Sequence, residues 1–243
     1  MPLTGNTAKI RVIEKIKKMI TQNKKIQVLD AGCGDLNLWL DSGIDFSNIV
    51  VHGFDRNEKA LEKAKQNASK LSKDSFSFYN STVDNFPSLF DFKFDLVVST
   101  NVLEHLKNVP SFFSNIRKVV SDNSIGLFVC DSAHFQSRKR FSKKSIDSIY
   151  KIKRQYVDDF FLKPLSDKDI QSGLKKSKFE LVLLEYYCID PVKFIHNHIV
   201  DSIDKDTIMD KWYGLEKLLN QNEKTKNGFR EFCSSIYFET KPI

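Results

Sequence analysis

The chain has 243 residues, of which 41% are hydrophobic and 28% charged, and its net charge is +7. This composition is typical of a folded protein with one substantial core and argues against a disordered chain. No apolar run approaches the roughly 20 residues that span a bilayer, and the charged N-terminal stretch lacks the apolar run of a signal peptide. The four cysteines are far apart and show no metal-type pairing, so we expect reduced thiols in a cytoplasmic protein.

Helix and strand patterns alternate along the chain. Residues 8–21 have the apolar period of an amphipathic helix, and helical patterns recur between the strands. Seven apolar runs predict strands at 26–32, 48–55, 75–81, 94–100, 124–131, 180–189 and 234–242. This alternation indicates an α/β fold with a mainly parallel sheet and helices on both faces. Ligands of such sheets bind at the carboxyl ends of the strands.

Two stretches, 131–172 and 190–228, are longer than simple connections require. We expect them to be helical cap insertions of a single domain that covers residues 1–243. Between Arg138 and Arg154 the first stretch holds eight basic residues and one aspartate, a net charge of +7. Positive charge concentrated in this way can attract an anionic partner, but a lysine-rich helix face exposed to solvent explains the charge equally well. A basic amphipathic helix here, which Pro164 would end, is also compatible with contact at an anionic membrane surface.

The strongest motif is VLDAGCGD at 28–35, which has the pattern of a strand, a glycine-rich turn and a helix. Gly32 and Gly34 allow a tight bend and the close approach of a ligand, and the helix that follows presents free amides at the same place. Asp55 ends the second strand, where a carboxylate can accept hydrogen bonds from both hydroxyls of a ribose. In this order, the two features predict a nucleoside-type ligand.

The same run disfavours a dinucleotide. Asn37 stands at the final glycine of the G-x-G-x-x-G fingerprint, and Asp35 would place a negative charge beside a pyrophosphate. A sulfonium nucleoside with an amino acid tail carries no phosphate and tolerates that charge.

The motifs VLDAGCGD, GFDRNEKALEKA, NSTVDNFP and FDLVVSTNVLEHL, with a late strand ending in ETKP, resemble those of the class I S-adenosylmethionine methyltransferases. More narrowly, they are similar to the small-molecule branch that includes the ubiquinone and menaquinone methyltransferases. The resemblance covers residues 26–131 well and the last two strands loosely. It implies a Rossmann-like, doubly wound, seven-stranded mixed sheet whose last strand is inserted antiparallel between strands five and six.

S-adenosyl-L-methionine is the cofactor that this resemblance implies. By this resemblance, Asp30 and the backbone of Gly32, Cys33 and Gly34 would bind the methionine moiety, and Asp55 would bind the ribose hydroxyls, with Arg56 as a further cofactor-binding candidate. Thr82 and Val83 would meet the adenine edge, and Thr100 and Asn101 would lie near the reactive methyl. Two residues depart from the family pattern. Leu36 stands where a third glycine is common, and Thr82 stands where an aspartate often meets the adenine amino group. Each departure would weaken cofactor binding, so a fold relative that serves as a non-catalytic scaffold subunit is the alternative.

The segment after the fourth strand, Ser99-Thr100-Asn101-Val102, lacks the Asn/Asp-Pro-Pro-aromatic run of relatives that methylate amino groups. We therefore expect O-methylation of a small acceptor. His105 and His134 are the candidate general bases, because an imidazole can take the proton of a hydroxyl at neutral pH; for both, a packed histidine is the alternative. Arg138 and Arg140 are candidates for binding an anionic acceptor.

Neither a metal nor a nucleic acid is favoured. Some relatives bind a divalent metal through Glu-x-x-Glu-His, but Asn101 replaces the first glutamate here, so we expect transfer without a metal. His196 and His198 have no carboxylate or cysteine at ligand spacing, and we expect them to be structural. An RNA methyltransferase could use the basic segment for phosphate contacts that weaken with salt, but no separate RNA-binding module is visible.

Overall fold

The computed structural model describes residues 6–20, 25–40, 42–135, 163–199 and 202–243. In this part of the chain, seven strands form one sheet. They are β1 (Ile26–Ala31), β2 (Ile49–Asp55), β3 (Phe76–Asn80), β4 (Phe94–Thr100), β5 (Val120–Asp131), β6 (Phe179–Ile189) and β7 (Cys233–Pro242).

The strand order is β3-β2-β1-β4-β5-β7-β6. β7 pairs antiparallel with both β5 and β6, and the other pairs are parallel. The predicted insertion of an antiparallel last strand is therefore confirmed. The order reverses between β1 and β4, and in such sheets the crevice at the carboxyl ends of these strands receives the ligand.

The helices cover both faces of the sheet. Those in the described ranges are α1 (Thr7–Ile20), α2 (Asn37–Leu40), α3 (Glu58–Ala68), α4 (Val109–Val119), α5 (Asp167–Lys176), α6 (Asp190–His198), α7 (Ser202–Asn220) and α8 (Glu223–Phe229). Buried side chains of α1, α2, α3 and α7 form one core cluster, and those of α4, α5 and α8 form the second. The sheet is thus doubly wound, as predicted. Among the described helices, none is long and apolar enough to cross a membrane.

Alternation along the central strands connects the two cores. Val28 of β1 belongs to the first cluster, whereas Leu29 and Ala31 belong to the second. Successive side chains of a strand point to opposite faces, so Asp30 points toward the face that α1, α2 and α3 cover. The buried position of this carboxylate follows from that alternation.

Six predicted strands match the structure to within a residue or so at either end, but β5 begins four residues earlier than predicted. The polar residues 121–124 have the composition of a turn. In the structure, α4 ends at Val119 and the chain continues directly into β5. The pairing of β4 with β5 is irregular between Phe94 and Leu96, so the polar residues are accommodated as a bulge in an otherwise regular ladder.

The stretch 190–228, predicted to be an insertion, holds α6, α7 and α8. Helix α7 is attached to the edge strand β6 by two side chains. Glu216 Oε1 accepts a hydrogen bond from the Ile189 amide (2.7 Å), and Asn220 Oδ1 accepts one from the Tyr186 amide (2.9 Å). These contacts satisfy edge groups that would otherwise be open to pairing with another chain. The role of this stretch as a cap stays a prediction.

Candidate functional site

The glycine-rich turn follows β1 and has a backbone that only glycine adopts without strain. Gly32 and Gly34 have φ angles of +77° and +54°. A Cβ atom on Gly32 would lie 2.4 Å from Cγ2 of Val102, so alanine does not fit there. The amides of Gly32 and Cys33 both donate to the carbonyl of Phe54, at 2.9 and 3.1 Å. The turn is therefore tied to the end of β2.

Asp55 completes this connection. Its Oδ2 accepts a hydrogen bond from the Gly34 amide (3.0 Å), and its Oδ1 accepts one from the Asn57 amide (2.9 Å). The side chain is half-buried at the carboxyl end of β2, and the neighbouring Arg56 is exposed. A carboxylate has about four acceptor positions, so each oxygen can accept a further hydrogen bond from a ribose hydroxyl.

Asp30 is buried beside the indole of Trp39, a contact that the sequence analysis did not anticipate. Trp39 Nε1 donates to Asp30 Oδ2 at 2.7 Å. Burial raises the pKa of Asp30 to about 7, and the hydrogen bond from Trp39 and the charge of Lys9 act in the opposite direction. The carboxylate proposed for the methionine moiety is therefore poised to titrate near neutral pH.

Lys9 is a second residue that the sequence analysis missed. Burial lowers the pKa of its ammonium group, while the nearby charges of Asp30, Asp35 and Glu104 favour the charged form. The ammonium group of Lys9, on the helix that precedes β1, therefore lies within electrostatic reach of the carboxylates of the candidate site. Its only signal in the sequence is its place in the first turn of α1, which does not mark it as functional.

Leu36 adopts the left-handed backbone that a glycine would adopt, with φ +73°. This residue stands at the family's third glycine and its side chain is fully buried. The turn therefore keeps the backbone course at some cost in strain, and the departure from the motif does not change the path of the chain.

Thr82 and Val83 lie in the turn after β3, where the resemblance puts the adenine. Thr82 is exposed, and its carbonyl accepts from the amide of Phe86 (3.0 Å). The carbonyl of Val83 accepts from Asn115 Nδ2 of α4 (2.9 Å). The turn is therefore held on both sides, at the same end of the sheet as Asp55.

The end of β4 carries the candidate catalytic turn. After Thr100, Asn101 has φ +59°, and its Nδ2 donates to Glu104 Oε1 at 3.3 Å. Leu103–His105 forms a single 3-10 turn. Glu104 is buried and His105 is half-buried. Asn101 therefore contacts Glu104, and the role of His105 as a base stays a prediction.

His134 lies in an ionic cluster rather than in an open loop. Its Nε2 is 3.0 Å from Oδ1 of Asp167, the first residue of α5. Oδ2 of the same carboxylate accepts from the hydroxyl of Tyr186 (2.6 Å) and lies 3.6 Å from Nη1 of Arg230. The contacts hold the imidazole against a carboxylate, an arrangement that also suits a structural histidine.

Arg138 and Arg140, with the rest of the basic segment, lie outside the described residues. The chain around them leaves and returns at one place. The Leu165 amide donates to the carbonyl of Asp131 (2.9 Å), and the Lys163 amide donates to the carbonyl of Glu104 (3.2 Å). The described residues that follow position 162 therefore contact the end of β5 and the candidate catalytic turn.

His196 and His198 are engaged locally. His196 is buried, and the centroid of its ring lies 6.0 Å from that of the Trp212 ring. His198 Nδ1 lies 2.8 Å from the carbonyl oxygen of Phe194. Within the described ranges, no group of three or more His, Cys, Asp or Glu side chains could hold a metal ion.

Residues 22–150 match the model of a family described as a methyltransferase domain. A ubiquinone biosynthesis O-methyltransferase of Rickettsia conorii is 26% identical to this chain over 200 residues, which cover 77% of the chain and 62% of that protein. Other curated relatives match over 47% and 46% of their own length, so the chain spans less than two thirds of these proteins.

Solved structures with the same fold include two methyltransferases of low sequence identity. Geranyl diphosphate C-methyltransferase from Streptomyces coelicolor superposes with a TM-score of 0.61 at 9% identity, covering 96% of this chain and 77% of that one. Magnesium protoporphyrin IX methyltransferase from Synechocystis with bound S-adenosylhomocysteine has a TM-score of 0.56 at 13% identity, with coverages of 97% and 84%.

Proposed function

Because the chain belongs to the methyltransferase domain family that residues 22–150 match, we propose that it transfers a methyl group from S-adenosyl-L-methionine to an oxygen atom of a small acceptor. The arrangement of Gly34 and Asp55 carries this proposal. The turn after β1 and the carboxylate at the end of β2 are joined by a hydrogen bond of 3.0 Å. A ligand held by the turn through its amino acid tail would therefore bring its ribose to Asp55.

The cofactor would supply a methyl group on a sulfonium: the acceptor oxygen would bond to this carbon as the carbon–sulfur bond breaks, and S-adenosylhomocysteine would leave. Most of the rate of such a step comes from holding the two reactants in register. We assign the cofactor tail to Asp30, Lys9 and the Gly32–Gly34 backbone, and the ribose to Asp55. His105, beside the buried Glu104, would take the proton of the acceptor hydroxyl.

Two observations support oxygen as the acceptor atom. The segment after β4 lacks the proline-containing run of amino-group methyltransferases, and several relatives are named as ubiquinone biosynthesis O-methyltransferases. The charge of +7 between Arg138 and Arg154 supports an anionic acceptor, and Lys163, which follows this stretch in the sequence, donates its amide hydrogen to the carbonyl of Glu104 in the candidate catalytic turn.

Calorimetric titration with S-adenosylhomocysteine, and in parallel with NADH, tests the cofactor. We expect binding in the micromolar range for S-adenosylhomocysteine and none for NADH, since Asp35 would face its pyrophosphate. A folded protein that does not bind S-adenosylhomocysteine would contradict the proposal and support the scaffold alternative.

Reversing the charges of Arg138, Lys139 and Arg140 to glutamate tests the acceptor. We expect the acceptor KM to rise about ten-fold at low ionic strength. In about 0.5 M salt the Debye length is only a few ångströms, so attraction between exposed charges is largely screened and KM should rise much less. The kcat should change little. Steady-state kinetics with the same reversal at three exposed lysines, Lys175 and Lys176 of α5 and Lys224 of α8, serves as a control with the same change in charge. An unchanged KM rules the role out, and RNA binding that falls steeply with salt would point to the RNA alternative.

A further inference from the structure

Trp39 and Asp30 are both buried, and a hydrogen bond joins their side chains. Asp30 is 3% exposed and Trp39 is 0% exposed. The indole Nε1–H donates to Asp30 Oδ2 at 2.7 Å. A buried indole nitrogen normally finds one acceptor, but a backbone carbonyl would satisfy it equally well. Here the acceptor is the carboxylate of the cofactor motif.

The surroundings of Trp39 fix the direction of its N–H group. The ring lies 6.0 Å from that of Phe46 and 6.4 Å from that of Phe76, and these two rings are 5.0 Å apart. The backbone of Trp39 is held as well, because its carbonyl accepts from Ser42 Oγ at 2.8 Å. The indole is buried and packs against two aromatic rings, and this packing favours the orientation in which its N–H group points at Asp30.

We propose that Trp39 is a positioning residue for the cofactor: its indole N–H fixes Oδ2 of Asp30, so that Oδ1 is presented to the ammonium group of the amino acid tail. This inference rests on the proposed function, because it requires Asp30 to meet that tail. Trp39 does not itself touch the cofactor.

The contact also changes the protonation of Asp30. Burial raises the pKa of this carboxyl to about 7, and the hydrogen bond from Trp39 is the largest influence in the opposite direction. The other charged groups around it are Lys9, which lowers the pKa, and Asp55, which raises it. Without the indole N–H group, the pKa of Asp30 moves further above 7, and the carboxyl is neutral at pH values where the wild type is partly ionised.

Trp39→Phe removes the donor and keeps an aromatic ring. We expect its Kd for S-adenosylhomocysteine, divided by that of the wild type, to be about ten at pH 6 and to fall to within about two-fold at pH 8.5. A ten-fold ratio corresponds to a displacement of about one pKa unit. Protonation of the ligand affects both proteins equally and cancels in this ratio. If Trp39→Phe does not fold, benzothienylalanine at position 39 keeps the ring shape and removes only the N–H group.

Two controls separate positioning from packing. Phe46→Leu disturbs the same aromatic cluster without removing the donor, and its Kd ratio should not vary with pH. In an Asp30→Asn background, Trp39→Phe should change the Kd by less than about two-fold, because the carboxylate it acts on is absent. A Trp39→Phe ratio below about two at every pH from 6 to 8.5, or a ratio that is unchanged in the Asp30→Asn background, overturns the inference. Absence of binding by the wild type at every pH overturns instead the proposed function.

Discussion

We expect Asp55→Ala to weaken binding of S-adenosylhomocysteine by about 100-fold or more. Two hydrogen bonds from ribose hydroxyls to a carboxylate contribute about 1.5–3 kcal/mol each, and every 1.4 kcal/mol corresponds to about ten-fold in Kd. The variant also removes the acceptor of two amides, that of Gly34 on the turn and that of Asn57 just before α3. Calorimetry with purified variant and wild type measures the effect directly.

Asp55→Asn is the matched control for this prediction. It keeps one side-chain oxygen for the amide of Gly34 and has the same size, so the turn should stay in place. We expect an intermediate loss of about ten-fold, since the neutral amide accepts more weakly and has one acceptor atom instead of two. If Asp55→Ala bound within about three-fold of the wild type while its stability in urea was unchanged, Asp55 would not hold the ribose.

The parts of the fold that the sequence predicted are those set by local periodicity. β1, β2 and β4 are almost continuous apolar runs because both of their faces are covered, and such runs are visible in any single sequence. The position of β7 between β5 and β6 is different. Its residues would fit an edge or a central strand equally well, so only the resemblance to a family indicated where it inserts.

The cofactor end of the site was predictable for a related reason. Ala31 pairs with Phe54 in the parallel register of β1 and β2, so residues that directly follow these strands must be neighbours. The turn at Gly32–Gly34 and the carboxylate of Asp55 meet through that register alone. The spacing of the motif along the chain was therefore enough to predict that the glycine-rich turn and Asp55 lie next to each other.

Lys9 and Trp39 could not be predicted in this way. They reach Asp30 from helices, and which side chain of a helix meets a given atom depends on how the helix rotates and packs. His134 was a candidate from the sequence, but its surroundings could not be predicted for the same reason, because Asp167, Tyr186 and Arg230 come from three separate parts of the chain. Long-range contacts of this kind leave no local pattern in the sequence.

Gly32→Ala is expected to have the largest combined effect on stability and binding. The new methyl group would lie 2.4 Å from Cγ2 of Val102, on a backbone with φ +77°. Overpacking of this kind costs about 1–3 kcal/mol, and alanine at positive φ costs about 1 kcal/mol more. Relief requires the turn to move away from the end of β4, which would displace the amides that we assign to the cofactor. We expect a loss of about 2–4 kcal/mol in urea unfolding and no measurable binding of S-adenosylhomocysteine.

Gly34→Ala and Val102→Ala separate the two causes of this loss. A Cβ on Gly34 would meet nothing within 4 Å, although φ is +54°, so Gly34→Ala should show the backbone strain of about 1 kcal/mol and little else. Adding Val102→Ala to Gly32→Ala removes the clash and keeps the strain. The double variant should then recover the stability lost to the contact and part of the binding. The contrary result is an equal loss of stability in Gly32→Ala and Gly34→Ala, with no recovery in the double variant. Glycine would then be needed at position 32 because of its backbone conformation and not because of close packing against the candidate catalytic turn.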